Sequence, residues 1–235
     1  MMLFTKKYTS QRYFDNEITF SNTFRYRLQI PKIVSVERLN LIVQWEKIEG
    51  QVPTPYSVYE AILNFHKIQK NSDFNLFKQF DYRNLERIIG VLEQDNVLKK
   101  GSVSLDEIVP IVNKHQVVCH GDAHINNFIE KDGAVYFIDA SFCNIASHFY
   151  DFAKLFYLDK KNHQIILHDY YERHFKQIDT FSFAEINYYS ELLLRSCIDY
   201  YGVFVEGEKN SMDSQKKHTE LIAHYCREYN SHSKQ

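Results

Sequence analysis

The dipeptide Asp132-Gly133, set between "NNFIEK" and "AVYFID", constrains this chain more than any other feature. A two-residue turn of this kind needs φ > 0 at both central positions, which Asp and Gly tolerate. It predicts a β-hairpin with apolar residues on both arms. Counting outward from the turn places Asn127, on the incoming arm, near Asp139, on the outgoing one. Both fall at the open end of the hairpin. The loop feeding that end, "CHGDAHIN", brings Asp122 to the same place. His, Asp and Asn are costly to bury without partners. Held between the apolar run "VVC" and the hairpin, they mark a site rather than a surface loop.

Two carboxylates and a carboxamide oxygen are hard ligands, the kind Mg²⁺ takes alongside substrate phosphates. A carboxylate left beside them can accept a hydroxyl proton. The same stretch also carries a zinc-type ligand set, in which Cys119, His120, Asp122 and His124 would share the ion.

The rest of the chain supplies a frame for this site. The first fifty residues are β-rich. "MMLFTKKY" reads as a short strand, residues 12–24 as a helix carrying Glu17, and Ile33–Val36 and Leu39–Trp45 as two further strands. Residues 51–115 turn helical. Ser57 and Glu60 suggest a capping box, and Val58, Ala61, Ile62 and Phe65 follow on one face. Leu85, Ile88, Ile89 and Leu92 repeat the pattern, and Ser104 with Glu107 suggests a second capping box. From residue 148 onward helices return, with Phe149, Phe152, Ala153 and Phe156 on one face and Ile186, Tyr189, Leu192, Leu193 and Tyr200 on another. "VEGEKNSMDSQKK" reads as a polar surface loop. The expected organisation is a small β-rich part over residues 1–50 and a helical part with an inserted hairpin over 51–235, joined by a hinge at "KIEGQVP".

Composition excludes several classes. The formal net charge is −2 with no long basic run, so no nucleic-acid partner is expected. No eighteen-residue apolar stretch and no signal peptide is present, so a cytoplasmic chain with no membrane partner is expected. Four scattered cysteines read as reduced core thiols. Oligomeric state is not encoded in any readable pattern.

The motif His120-Gly121-Asp122, four residues, Asn127, then a hairpin ending in "VYFID" at Asp139 resembles the aminoglycoside phosphotransferase and choline kinase superfamily. That resemblance implies an α+β, protein-kinase-like two-lobed fold with a reduced β-rich N-lobe and a mainly helical C-lobe. It implies an ATP-dependent small-molecule kinase, using ATP or GTP with Mg²⁺ and moving a phosphoryl group to a hydroxyl of an amino sugar, sugar or amino alcohol. By the same resemblance Asp122 is the catalytic base and His120 braces its loop. Asn127 and Asp139 hold Mg²⁺, and Asp151 in "HFYDFAKL" supports the catalytic loop. "LFTKKY" is similar to the family's phosphate-binding strand, with Lys6 as the lysine and Glu17 as its ion-pair partner. Gln44, Trp45, Glu46 and Lys47 would offer backbone groups to the base. "AILNFHKI" is similar to the family's helix ending in Leu-His. The C-terminal helices line the family's acceptor cleft, but Glu191, Asp199 and the tyrosines at 188, 189, 200 and 201 are read here as helix packing. The family's two strands and glycine-rich loop before the lysine have no counterpart in the five residues ahead of Lys6. A catalytically impaired, kinase-like binding module is therefore the alternative expectation.

Overall fold

The computed structural model describes residues 2–158, 162–207 and 212–233. They divide into two compact units, residues 1–79 with 117–151 and residues 80–116 with 152–235.

The first unit opens with an antiparallel sheet of β1 (Leu3–Lys7), β2 (Ile33–Glu37) and β3 (Ile42–Glu46), in the order β1-β3-β2. Period-2 alternation turns Val43 and Trp45 inward. They pack with Tyr8 against Phe14 and Ile18 of α1 (Gln11–Phe24). Ser10 caps α1, its Oγ accepting from the Tyr13 N–H at 3.3 Å. The strand expected from Leu39 starts only at Ile42, because Leu41 takes a left-handed φ of 54° in the turn and leaves Leu39 exposed.

Helix α2 (Pro55–Lys67) corrects a cap. Thr54, not Ser57, is the N-cap, and its Oγ1 accepts from the Ser57 N–H at 3.0 Å. Pro55 fills the first helical position, where no N–H is needed. Arg27 grips Asp73 with both guanidinium nitrogens at 2.8 and 2.9 Å and reaches the Ile68 carbonyl at 3.0 Å, which ties the end of α2 to α1.

Strand β4 (Gln116–Cys119) leads into the polar loop. Asp132 and Gly133 take φ of 52° and 75°, and β5 (Phe128–Lys131) pairs with β6 (Ala134–Phe137) in the register the turn dictates. Strand β7 (Asn144–Ser147) pairs with β4. The far edge of β4 meets a side chain instead of a strand: Gln69 donates to the Val118 carbonyl at 2.7 Å and accepts from its N–H at 2.8 Å. Gln51 exchanges two backbone hydrogen bonds with Glu130, at 2.8 and 3.0 Å. Gly50 precedes it because a Cβ there would overlap the Glu130 carbonyl.

The second unit is helical: α3 (Arg83–Gln94), α4 (Leu105–Asn113), most of α5 (Tyr150–Phe156), α6 (His163–Tyr170), α7 (Phe181–Tyr200) and α8 (Met212–His232). The expected faces of α3 and α7 supply core residues, with Leu85, Ile88, Ile89, Leu92, Tyr189, Leu192, Leu193 and Tyr200 buried. Ser104 stands at the N-cap of α4, but its side chain makes no capping bond. The expected polar loop is overturned from Met212, where α8 begins, and residues 208–211 of it lie outside the described residues. None of the four cysteines forms a disulfide. Among the described residues no helix is long and apolar enough to cross a membrane.

Candidate nucleotide and metal site

The first unit contains a cavity of about 460 Å³, within the size range of small-molecule sites. Its apolar wall includes Ile30, Trp45, Ile48, Ile129 and Phe137, and its polar groups include Lys6, Glu17, Asn127 and Asp139. Six short segments, from the first forty-eight residues and from 126–140, therefore meet around it.

Lys6, pointing inward from β1, donates to Glu17 Oε2 and to Asp139 Oδ1, both at 2.6 Å. One cation is thus shared by two acids. Burial pushes the Glu17 carboxyl above its ordinary range in spite of Lys6, and Tyr8 Oη also donates to it at 2.8 Å. Burial acts the same way on Asp139, but hydrogen bonds from Lys6 and Ser141 outweigh it and hold that carboxyl below its ordinary range. Asp139 therefore stays ionised, and its side chain is 43% exposed.

The loop before the hairpin is fixed from beneath. Asp151 is fully buried, and its two oxygens accept from the His120 N–H at 2.8 Å and the Gly121 N–H at 3.0 Å. The His120 ring is also buried, against Phe128, with Nε2 at 2.9 Å from the Ile138 carbonyl. A carbonyl only accepts, so Nε2 carries the proton. Gly121 has φ of 88°, and a Cβ there would overlap the Phe142 carbonyl, so the central residue of His-Gly-Asp has no substitute.

Asn127 Nδ2 donates to Asp122 twice, to its backbone carbonyl at 2.8 Å and to Oδ2 at 3.0 Å. Two acceptors on one side settle the orientation of the carboxamide, and its oxygen is left for another partner. The Ile138 N–H donates to the Asn127 carbonyl at 3.1 Å, which sets Asn127 and Asp139 one residue apart across the hairpin mouth. Among the described hydrogen bonds, those to the Asp139 carboxylate fall on Oδ1. Asn127 oxygen and Asp139 Oδ2 are hard, accessible donors, and this set fits Mg²⁺.

The zinc set does not assemble. The exposed His124 ring accepts from the Asn126 N–H, and Cys119 lies instead in a buried group with His66 and Asp151. The expected base-binding segment is split. Trp45, Glu46 and Lys47 line the cavity, whereas Gln44, paired in the sheet with Thr5 and Ser35, is not among its lining residues. The Glu46 and Lys47 N–H groups are already taken by the carbonyls of Lys32 and Met2. Sequence reasoning missed Asn16 and Ser141, both bonded to the Asp139 turn. Neither belongs to a motif, and only the three-dimensional closure of α1 on that turn reveals them. In the second unit, Asp199 is engaged by Lys154 and Arg195, and Tyr188 by His163.

No family model and no curated protein matches the chain. Solved structures do match it. A choline/ethanolamine kinase family protein from Mesorhizobium loti superposes with a TM-score of 0.71 at 14% identity, covering 98% of this chain and 85% of that one. A microcompartment-associated aminopropanol kinase gives 0.66 at 15% identity, covering 97% and 85%. The GDP complex of wild-type aminoglycoside 2′-phosphotransferase-IIIa gives 0.63 at 13%, covering 96% and 86%. The chain has the α+β fold shared by these aminoglycoside phosphotransferases and choline/ethanolamine kinases, with a small N-terminal sheet and a largely helical remainder.

Proposed function

We propose that the chain is a small-molecule kinase that moves the γ-phosphoryl group of ATP or GTP to a hydroxyl of an amino alcohol, sugar or amino sugar. The carrying observation is the convergence of Lys6, Glu17, Asn127 and Asp139 on one mostly apolar cavity, with Asp122 bonded to Asn127. The neighbours' names agree with that class: an aminopropanol kinase, a choline/ethanolamine kinase family protein and an aminoglycoside phosphotransferase.

In this reading the apolar wall takes the base, with Trp45 and Ile48 beside it. Lys6, steadied by Glu17, faces the α- and β-phosphates. Asn127 and Asp139 would hold Mg²⁺, which when bound offsets phosphate charge. Asp122 orients the acceptor hydroxyl and takes its proton late in the transfer. Asn127 fixes the Asp122 carboxylate from one side, and Asp151 fixes the loop from beneath. The protein contributes position and electrostatics and forms no covalent intermediate.

Calorimetric titration of MgATP and MgGTP into the chain tests this, with Asp139→Ala as control. Metal-dependent binding that disappears in the variant is the expected result, and no nucleotide binding by the folded chain overturns the proposal. A screen of hydroxyl acceptors follows, in which Asp122→Ala lowers transfer by about 10²–10⁴-fold. One observation favours a second reading: residues 2–49, which carry Lys6, Glu17 and Trp45, contain no glycine and so supply no glycine-rich turn themselves. A binding module would show metal-dependent nucleotide binding with no transfer to any acceptor.

A further inference from the structure

We infer that Asn16 and Ser141 are positioning residues that set which oxygen of Asp139 is offered to a divalent cation. The inference rests on the kinase reading above and adds to it two residues outside the motif.

Asp139 adopts a left-handed conformation, φ 56° and ψ 48°, which Asp takes more readily than most residues with a Cβ and which its surroundings hold here. The surroundings are specific. Residues Ala140–Phe142 form one tight 3₁₀ turn, closed by the Cys143 N–H on the Ala140 carbonyl at 3.1 Å. Such a turn ends with carbonyls that have no partner within it. Asn16, on α1, supplies both missing donors from one nitrogen: Nδ2 lies 2.9 Å from the Ser141 carbonyl and 3.3 Å from that of Cys143. Cys143 Sγ answers by donating to the Asn16 carbonyl at 3.4 Å. On its other side the turn presses the Phe142 carbonyl against Gly121, where no side chain fits.

With the turn held, Ser141 Oγ reaches back and donates to Asp139 Oδ1 at 2.6 Å. Lys6 takes the same oxygen. Two donors on Oδ1 leave Oδ2 as the oxygen that faces a cation. Residues 16 and 17 thus act on the two ends of one contact. Glu17 orients the lysine, and its neighbour Asn16 orients the segment carrying the acid. A carboxamide is required at 16, because a carboxylate offers no proton to a carbonyl.

The test uses two readouts on the full chain. The first is the Mg²⁺ concentration that half-saturates ATP binding, measured beside metal-free ATP affinity and thermal unfolding. Ser141→Ala should raise that concentration by about tenfold, the usual loss when a group orienting a ligand is removed, and leave metal-free affinity unchanged. Ser141→Thr keeps the hydroxyl and should restore it. The second readout needs no ligand. Cys143 is buried, and in Asn16→Asp its labelling by a thiol reagent, mapped by mass spectrometry, should rise about tenfold while that of Cys119 stays constant. Unchanged Cys143 labelling in Asn16→Asp overturns the clamp. An unchanged metal requirement in Ser141→Ala, with Asp139→Ala still abolishing binding, overturns the oxygen assignment. Absence of metal-dependent ATP binding in the unaltered chain overturns the kinase reading itself, and this inference with it.

Discussion

Two three-charge clusters, one in each unit, use the same side-chain chemistry to opposite ends. In the first unit one lysine serves two acids, Lys6 with Glu17 and Asp139. In the second, one acid serves two cations, Asp199 with Lys154 and Arg195 at 3.4 and 3.3 Å. The second cluster is closed: its side chains are 10–13% exposed, and Tyr157 hydrogen-bonds to Asp199 as well. The first stands in the wall of a cavity, with nearly half of the Asp139 side chain open. Paired charge surrounded by protein behaves as a structural pin. The same charge with an open side keeps bonding capacity in reserve, and that reserve identifies a site.

Breaking the closed cluster should have the largest effect on stability. Asp199→Ala removes the acid that two buried cations share and should cost about 3–5 kcal/mol, read from urea unfolding of the full chain. If the variant unfolds like the parent, the cluster is not a pin.

Acid sharpens the contrast next. Asp179, also in the second unit, bonds to Lys114, His115 and the Thr180 N–H, and these outweigh its burial and hold its pKa at about 2 against an ordinary 3.8. Its folded pKa is depressed, so its contribution is present above 3.8 and is lost as pH falls toward about 2. Asp179→Asn should cost about 2 kcal/mol at pH 7, and the cost should shrink as pH falls, disappearing only below about 2. Parallel pH–stability curves for the two proteins would refute this.

Glu17 carries the opposite sign. Burial raises its pKa in spite of Lys6, so folding favours the protonated form more than the unfolded chain does, and that stabilisation is lost as pH rises through the folded value. Glu17→Gln should therefore unfold at pH 7 no more easily than the parent, while its ATP affinity falls. Asp139→Asn should likewise change stability little, by under about 1 kcal/mol because the side chain is partly solvated, with metal-dependent nucleotide binding lost all the same. A large stability loss there would make the open cluster a pin like the other.

The motif residues were legible because each is tied to local geometry. Asp132-Gly133 dictates a turn, the turn dictates the register, and the register delivers Asn127 and Asp139 together. Helix α1 and its Glu17 followed from apolar spacing. What escaped were features whose signal lies elsewhere. The true cap Thr54 was announced by Pro55, a first-turn signal weaker to the eye than Ser-x-x-Glu. The start of α8 has no apolar face over residues 213–217; it is propagated backward from the buried Leu221, Ile222, Tyr225 and Tyr229. Asn16 and Ser141 depend on the meeting of α1 with a turn 125 residues away, and no pattern within either segment encodes that meeting.

Gln69 has a bearing on self-assembly. Its carboxamide occupies both backbone groups of Val118, as a neighbouring strand would. A two-stranded ribbon ordinarily offers an edge on which further chains can polymerise. Here one side chain ends the ribbon on that side and fixes its width at two strands. A leucine at this position would leave both backbone groups of the buried Val118 without the partners that now close this edge.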